Sequence, residues 1–280
     1  MKVVEPRIGF MQGRLCSLVG GRIQAFPWDE WELEYPRAQE LGLHLMEWTL
    51  DQERLRENPL LTAAGQARIR ALGERHGLAV ASLTGDNFMQ APFWKRSGDE
   101  RRALQADCMD IVAACGAVGA TMIVVPLVDA GALDDRGQED LLVDFLLERR
   151  AEFRRHGVAV LFECDFKPQE LGRFIERLPA GDFGINYDIG NSAALGFDPA
   201  EEFQCYGARI QNVHVKDRVL GGTTVPLGTG NADFETVFAQ LAARRYDGNY
   251  IMQTARAADG DHAGALRRYA AMIRGWVGAA

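Results

Sequence analysis

Short, nearly continuous apolar runs alternate along this chain with longer amphipathic stretches. One phrase recurs: a charged helical end, a Gly, then a compact apolar run. It reads ELGLHLMEW (40–48), ERHGLAVASL (74–83), ACGAVGATMIVVP (114–126) and RRHGVAVLFE (154–163), and more weakly RLPAGDFGINYD (177–188), YGARIQNVHV (206–215) and RRYDGNYIM (244–252). Gly is the residue that takes the left-handed position closing a helix. The runs are only five or six residues long, rich in β-branched residues and not alternating, which is how a strand buried on both faces of a parallel sheet reads. Between them, 61–77 and 141–157 carry apolar positions at i, i+3, i+4 and i+7, predicting amphipathic helices. With RIGFM (7–11) in front, eight strands are predicted, centred near residues 9, 46, 81, 124, 161, 185, 213 and 251. Eight βα units in 280 residues predict a closed (β/α)8 TIM barrel, with an open doubly wound sheet as the alternative. No Pro/Gly/Ser-rich linker divides the chain, so 1–280 is read as a single domain.

Composition narrows the function classes. At 47% hydrophobic and 25% charged the chain is an ordinary globular one. Its net charge of −8 argues against nucleic acid as a partner, which would require a basic footprint. The uncharged stretch 111–128 is broken by Gly116, Gly119 and Pro126. It predicts a buried helix end, a turn and a strand, not a membrane span, which needs about 20 apolar residues. The N-terminus lacks a signal-peptide pattern, and the five cysteines have no framework spacing, so a reducing, cytoplasmic setting is expected.

In such a barrel the chemistry comes from the C-terminal ends of strands. Glu47 closes the second apolar run and Asp86 follows the third. Glu163 closes the fifth and Asp188 the sixth, His214 lies in the seventh, and Gln253 closes the eighth. Carboxylates and an imidazole on successive strands suit a divalent metal such as Mn, Zn or Co. Each taken alone also reads as an ordinary polar residue at a strand end.

RIGFMQGRL, LMEWT, VLFECD, NYDIGNSA, VHVKDR and VPLGTGNADFETV, in this order, resemble the sugar isomerase/epimerase barrels related to xylose isomerase. The most specific pieces are D-x-G-N (188–191), H-x-K-D-R (214–218) and PLGTGNADF (226–234). The resemblance covers nearly the whole chain. It implies one divalent ion (Mn, Zn, Co or Mg) held by Glu163, Asp188, His214 and position 253. It also implies a small sugar or sugar phosphate as substrate, transformed through an enediolate. Relatives use glutamates at both 163 and 253 as proton carriers, and here 253 is Gln. An amide oxygen can ligate a metal, but the amide accepts no proton at neutral pH. The expected activity is therefore a metal-dependent isomerisation or epimerisation with Glu163 as base and Gln253 as its partner in the site. The alternatives are dehydration or another lyase reaction on a related polyhydroxy or keto acid, and a non-catalytic sugar-binding descendant.

Around this centre Lys216 and Arg218 are expected to contact a substrate phosphate or hydroxyl, and Asn191 stands where some relatives place a substrate-binding His. Glu47, Asp86 and Arg256 are further candidates for substrate contact. The glycines of LGTGNADF either form an anion-binding nest or shape a tight loop before a helix starting near Asp233. Trp28, Trp31, Trp48, Phe88 and Trp94 read mainly as packing. His76 and His156, each before a Gly, read as helix ends, and His44 as a core or helix-facing residue. The DNA-cutting members of the same superfamily need a histidine-rich three-metal cluster that five His cannot supply alongside those roles. No membrane association is expected, and barrels often pair as homodimers or homotetramers.

Overall fold

The structure, a computed structural model, describes residues 5–280. Eight parallel strands close into a barrel: β1 (Arg7–Met11), β2 (Leu45–Thr49), β3 (Ala79–Thr84), β4 (Met122–Leu127), β5 (Ala159–Cys164), β6 (Phe183–Asp188), β7 (Ile210–Val215) and β8 (Asn249–Met252). Each of the eight predicted centres falls inside its strand. Neighbours in sequence are neighbours in the sheet, and β8 pairs with β1 to close it. The open-sheet alternative is thereby excluded.

The recurring Gly does what its position requires. Gly77 and Gly157 end the helices Ala63–His76 and Arg136–His156 with φ of 64° and 67°. Gly119 ends the helix Gly98–Val118 at φ 86°, and β4 follows as the pattern of 111–128 predicted. Outward-facing apolar side chains of the strands bury against these helices. Phe162 packs edge-on against Phe174 at 5.1 Å, and Phe153 against Phe183 at 6.0 Å. Burial of each such ring is worth about 1.5–3 kcal/mol. Trp48, Phe88 and Trp94 are core residues, with Trp28 and Trp31 packed beside them. His44 is corrected: it is exposed at the entrance to β2, where its Nδ1 lies 3.1 Å from the Gly77 carbonyl oxygen.

Two register shifts matter for function. One lies between Met46 and Glu47, so that Glu47 stands opposite Ser82; the other lies between Ile185 and Asn186, so that Asp188 stands opposite His214. A one-residue slip exchanges the two faces of a strand, and such irregularities re-aim side chains into a site.

The helices on either side of β5 are fastened to one another. Buried Glu139, in Arg136–His156, accepts hydrogen bonds from Arg173 of the helix Pro168–Glu176 at 2.8 and 2.7 Å and another from Arg177, which caps that helix's end. The Arg173 hydrogen bonds, with Arg177 adding to them against the cost of burial, hold the Glu139 carboxyl down at about 2 instead of the ordinary 4.5. The unfolded chain therefore binds this proton at a higher pH than the folded one. The stabilisation is complete above pH 4.5 and is lost as pH falls through about 2. Glu139→Gln is expected to cost about 1–3 kcal/mol at neutral pH. In urea unfolding, the gap between variant and parent should close as pH drops through that window. A gap independent of pH would remove the ion cluster as its cause.

Candidate active site

Side chains two apart on a strand share a face, and here this delivers the inward-facing layer. Asn186 and Asp188 on β6, and Asn212 and His214 on β7, point into the barrel beside Glu47, Ser82, Thr84 and Glu163. All eight are buried. One ligating atom each from Glu163, Asp188 and His214 lies within 4.8 Å of the others.

His214 is held from behind. Its Nε2 is 2.6 Å from Glu47 Oε1, a carboxylate that also accepts from Ser82 Oγ at 2.6 Å, Asn212 Nδ2 at 3.0 Å and the Thr84 hydroxyl. Its Nδ1 is fully buried, 3.0 Å from Glu163 Oε2 and 3.8 Å from Asp188 Oδ2, with no hydrogen-bond partner of its own. Burial opposes charge on the ring, but Glu47, with Asp188 and Glu163, outweighs it, and the imidazole holds a proton well above its usual range. A ring nitrogen that makes no well-aligned hydrogen bond and faces two carboxylates, with the other nitrogen braced by a third, fits a divalent cation, which would take the place of the Nδ1 proton: such ions take neutral imidazole and carboxylate ligands, and the far ring nitrogen is usually fixed by a carboxylate.

The D-x-G-N motif explains itself here. Asp188 Oδ1 accepts from the Asn191 backbone N–H at 2.8 Å, capping the helix Ile189–Leu195, while its Oδ2 faces inward. A Cβ on Gly190 would come within 2.6 Å of Lys216 Cγ, so only Gly lets the lysine stem pass. Asn191 donates to Glu163 Oε1 at 2.7 Å and accepts from Arg218 Nη1 at 2.8 Å. Asn186 donates to Glu163 Oε2 at 2.8 Å. Lys216 Nζ donates to Asp188 Oδ2 at 2.8 Å and Gln253 Oε1 at 3.1 Å. Burial alone would raise the Asp188 carboxyl, but Lys216 and His214 hold it well below the usual range.

These groups open onto a cavity of about 450 Å3 at the C-terminal mouth, lined in part by Asp86, Glu163, Asn191, Lys216, Arg218 and Gln253. A larger groove of about 560 Å3 lies at the other end, at the starts of the strands, beside Arg7, Arg154 and Asp182, away from this chemistry. Gln253 Nε2 donates to Gln24 Oε1 at 3.0 Å, and Gln24 Nε2 donates to Asp86 Oδ2 at 2.8 Å. Burial, reinforced by Asp51 and Glu163, pushes the Asp86 carboxyl up to about 7.

Two candidates stand elsewhere. Glu47 is no cavity residue; both its oxygens are committed beneath the site to donors on adjacent β3 and on β7 across the barrel. Arg256 turns away to the Cys16 carbonyl oxygen at 2.5 Å and does not line the cavity. Of the two readings of the 226–234 glycines, the structure shows the tight loop and not an anion-binding nest for a ligand. The carboxylate of buried Asp217 takes the N–H groups of Gly228, Gly230 and Ala232 at 2.9, 2.8 and 3.1 Å, so the glycines shape the loop around an internal anion. The helix that follows, Phe234–Ala243, is capped by Asp233 as anticipated. Asn186 and Asn212 were missed, although each lies two positions before a proposed ligand and the strand period points to it. Gln24 comes from the loop after β1 and carries no sequence signal.

A family model described as xylose isomerase-like TIM barrel matches residues 36–274. The chain belongs to that family. Among solved structures with this barrel, D-psicose 3-epimerase superposes with a TM-score of 0.76 at 13% identity, covering 97% of this chain and 99% of that one. The 3-keto-D-glucoside 4-epimerase YcjR of E. coli gives 0.72 at 21%, covering 97% and 100%. The IOLI protein, solved with a bound zinc atom, gives 0.74 at 15%, covering 97% and 98%. In sequence, an inosose dehydratase of Geobacillus kaustophilus is 30% identical over 103 residues, 30% of this chain and 33% of the relative. An L-ribulose-5-phosphate 3-epimerase, UlaE, of Salmonella paratyphi C is 40% identical over 72 residues, 25% of each chain. The aligned stretches thus span a third or less of these curated relatives. Among the described residues no helix is long and apolar enough to cross a membrane.

Proposed function

We propose that this member of the xylose isomerase-like family is a divalent-metal-dependent sugar isomerase or epimerase in which Glu163 carries the proton. The observation behind this reading is the orphaned, braced His214 Nδ1 set against Glu163 and Asp188. Glu163, Asp188 and His214 would hold the ion, with the Gln253 amide oxygen tied to Asp188 through the Lys216 Nζ that both accept from. A bound divalent ion supplies a Lewis acid that polarises the substrate carbonyl and stabilises negative charge on the neighbouring oxygens.

Glu163 removes a proton from the carbon next to that carbonyl. The C–H pair becomes the carbon–carbon double bond of an enediolate, and the carbonyl pair moves onto oxygen. Asn186 and Asn191 fix the Glu163 oxygens while it does so. Returning the proton to the adjacent carbon, while the hydroxyl proton passes from one enediolate oxygen to the other, completes an aldose–ketose isomerisation with one base at carbon. Epimerisation needs a second carrier on the other face of the substrate, and Gln253 cannot serve. Dehydration of a related keto acid or keto polyol is the second reading. Asp86 favours it, because a carboxyl held near 7 can donate a proton to a departing hydroxyl.

The test is incubation of metal-loaded protein with a panel of ketoses and keto polyols in deuterated water. Isomerisation or epimerisation is expected to give products of unchanged composition carrying solvent deuterium at one carbon. Products that have lost water would establish the second reading. No deuterium uptake with any substrate, metal loading notwithstanding, would leave a sugar-binding descendant.

A further inference from the structure

The walls of the cavity offer open carboxylate acceptors, while its two cationic side chains are already engaged with the chain. Four arrangements commonly hold a phosphate: a lysine, an arginine, a nest of backbone N–H groups and a helix N-terminus. All four occur in this chain, and each is engaged, at least in part, by the chain itself. Lys216 is shared between Asp188 and Gln253. Arg218 gives Nη1 to Asn191 and its Nε and Nη2 to the Gly222 carbonyl oxygen at 3.1 and 2.7 Å. The N–H groups of Gly228, Gly230 and Ala232 are taken by Asp217, and the start of Ile189–Leu195 is capped by Asp188.

The acceptors are open. Asp86 uses Oδ2 for Gln24 and leaves Oδ1 without a donor. Asp129 and Asp165 stand at the rim of the same cavity. Neither side chain joins a hydrogen bond or ion pair among the described residues. Asp129 holds its place with φ of 49°, a conformation non-Gly residues seldom adopt and one that clusters at functional sites. The charges lean the same way. If a divalent ion matches Glu163 and Asp188, the remaining lining groups are Asp129 and Asp165, with Asp86 only partly ionised near neutral pH, against Lys216 and Arg218. No positive surplus remains to hold a dianion.

We propose that this cavity selects an uncharged polyhydroxy substrate, a free sugar or ring polyol, over its phosphate ester, with Asp86, Asp129 and Asp165 receiving substrate hydroxyls. The inference rests on reading this cavity as the substrate site. It concerns binding, so it stands or falls separately from the isomerase chemistry.

Calorimetric titration of the metal-loaded protein tests it with two kinds of probe: inorganic phosphate alone, and free ketoses paired with their phosphate monoesters. Inorganic phosphate should bind no more tightly than about 1 mM, and each free sugar that binds should do so at least about tenfold more tightly than its ester. Asp129→Asn combined with Asp165→Asn, both exposed and outside the metal set, should weaken the free sugar and narrow that ratio. Micromolar phosphate binding, an ester that binds as well as its sugar, a ratio unmoved by the double variant, or no free sugar binding at all would each overturn the proposal. Binding with the expected preference but without turnover would instead count against the isomerase reading alone.

Discussion

Glu163→Gln is expected to lower turnover by about two to four orders of magnitude, the usual worth of a positioned general base. The substitution keeps size and nearly keeps shape, so the barrel should fold. What changes is the chemistry of two oxygens. In the parent, one accepts from Asn191 Nδ2 at 2.7 Å and the other from Asn186 Nδ2 at 2.8 Å. An amide can accept from only one of these donors, must turn its own N–H2 toward the other, and takes up no proton. Solvent deuterium uptake is the informative readout, because it follows proton removal even when product release limits the rate. Metal content, measured on the same samples, separates loss of the base from loss of a ligand. Full turnover by the variant would show that another group removes the proton.

Glu47→Ala should have the largest effect on stability, about 3–5 kcal/mol, the cost of breaking a buried charge pair by removing one partner. Four donors converge on that carboxylate: Ser82, Thr84, Asn212 and the His214 ring. They come from β3 and β7, on different sides of the barrel, so the loss is spread across the closed sheet. A smaller effect is expected for Glu47→Gln, which keeps the volume and one acceptor. Both variants should bind the divalent ion about 10–100-fold more weakly, as happens when the partner that orients a ligating histidine is lost. Denaturant unfolding and metal titration report the two effects independently. Unchanged metal affinity in a folded variant would mean that Glu47 does not orient His214.

The barrel was legible because a parallel strand buried on both faces leaves a local mark, a short run of Val, Ile, Leu and Phe after a helix-ending Gly. The placement of Glu163, Asp188 and His214 at one end of the barrel was legible for a related reason, since a polar residue at or near the end of such a run stands at the mouth. The role of Glu47 was not. It also closes a run, but the register shift beside it turns it to the floor of the site, and a shift of one residue leaves no trace in hydropathy. Arg256 was misjudged because a loop residue's direction is set by distant partners, here the Cys16 carbonyl oxygen. Gln24 depends on the same kind of long-range placement. The glycines of 226–234 allowed both a tight loop and an anion cradle, because nothing local shows that Asp217, eleven or more residues before them, fills the cradle.

The amides of Gln253 and Gln24 form a line with a direction. Lys216 gives to Gln253, Gln253 gives to Gln24, and Gln24 gives to Asp86. A glutamate at 253 would gain an ion pair with Lys216 but would set an acceptor against the Gln24 carbonyl oxygen. Gln24 would then have to rotate its amide, and Asp86 would face an oxygen in place of a donor. Positions 24, 86 and 253 are therefore tied together by hydrogen bonding. A lineage moving between Gln and Glu at 253 should change residue 24 or 86 alongside it, and the single reversion Gln253→Glu in this chain should leave the line broken at its middle.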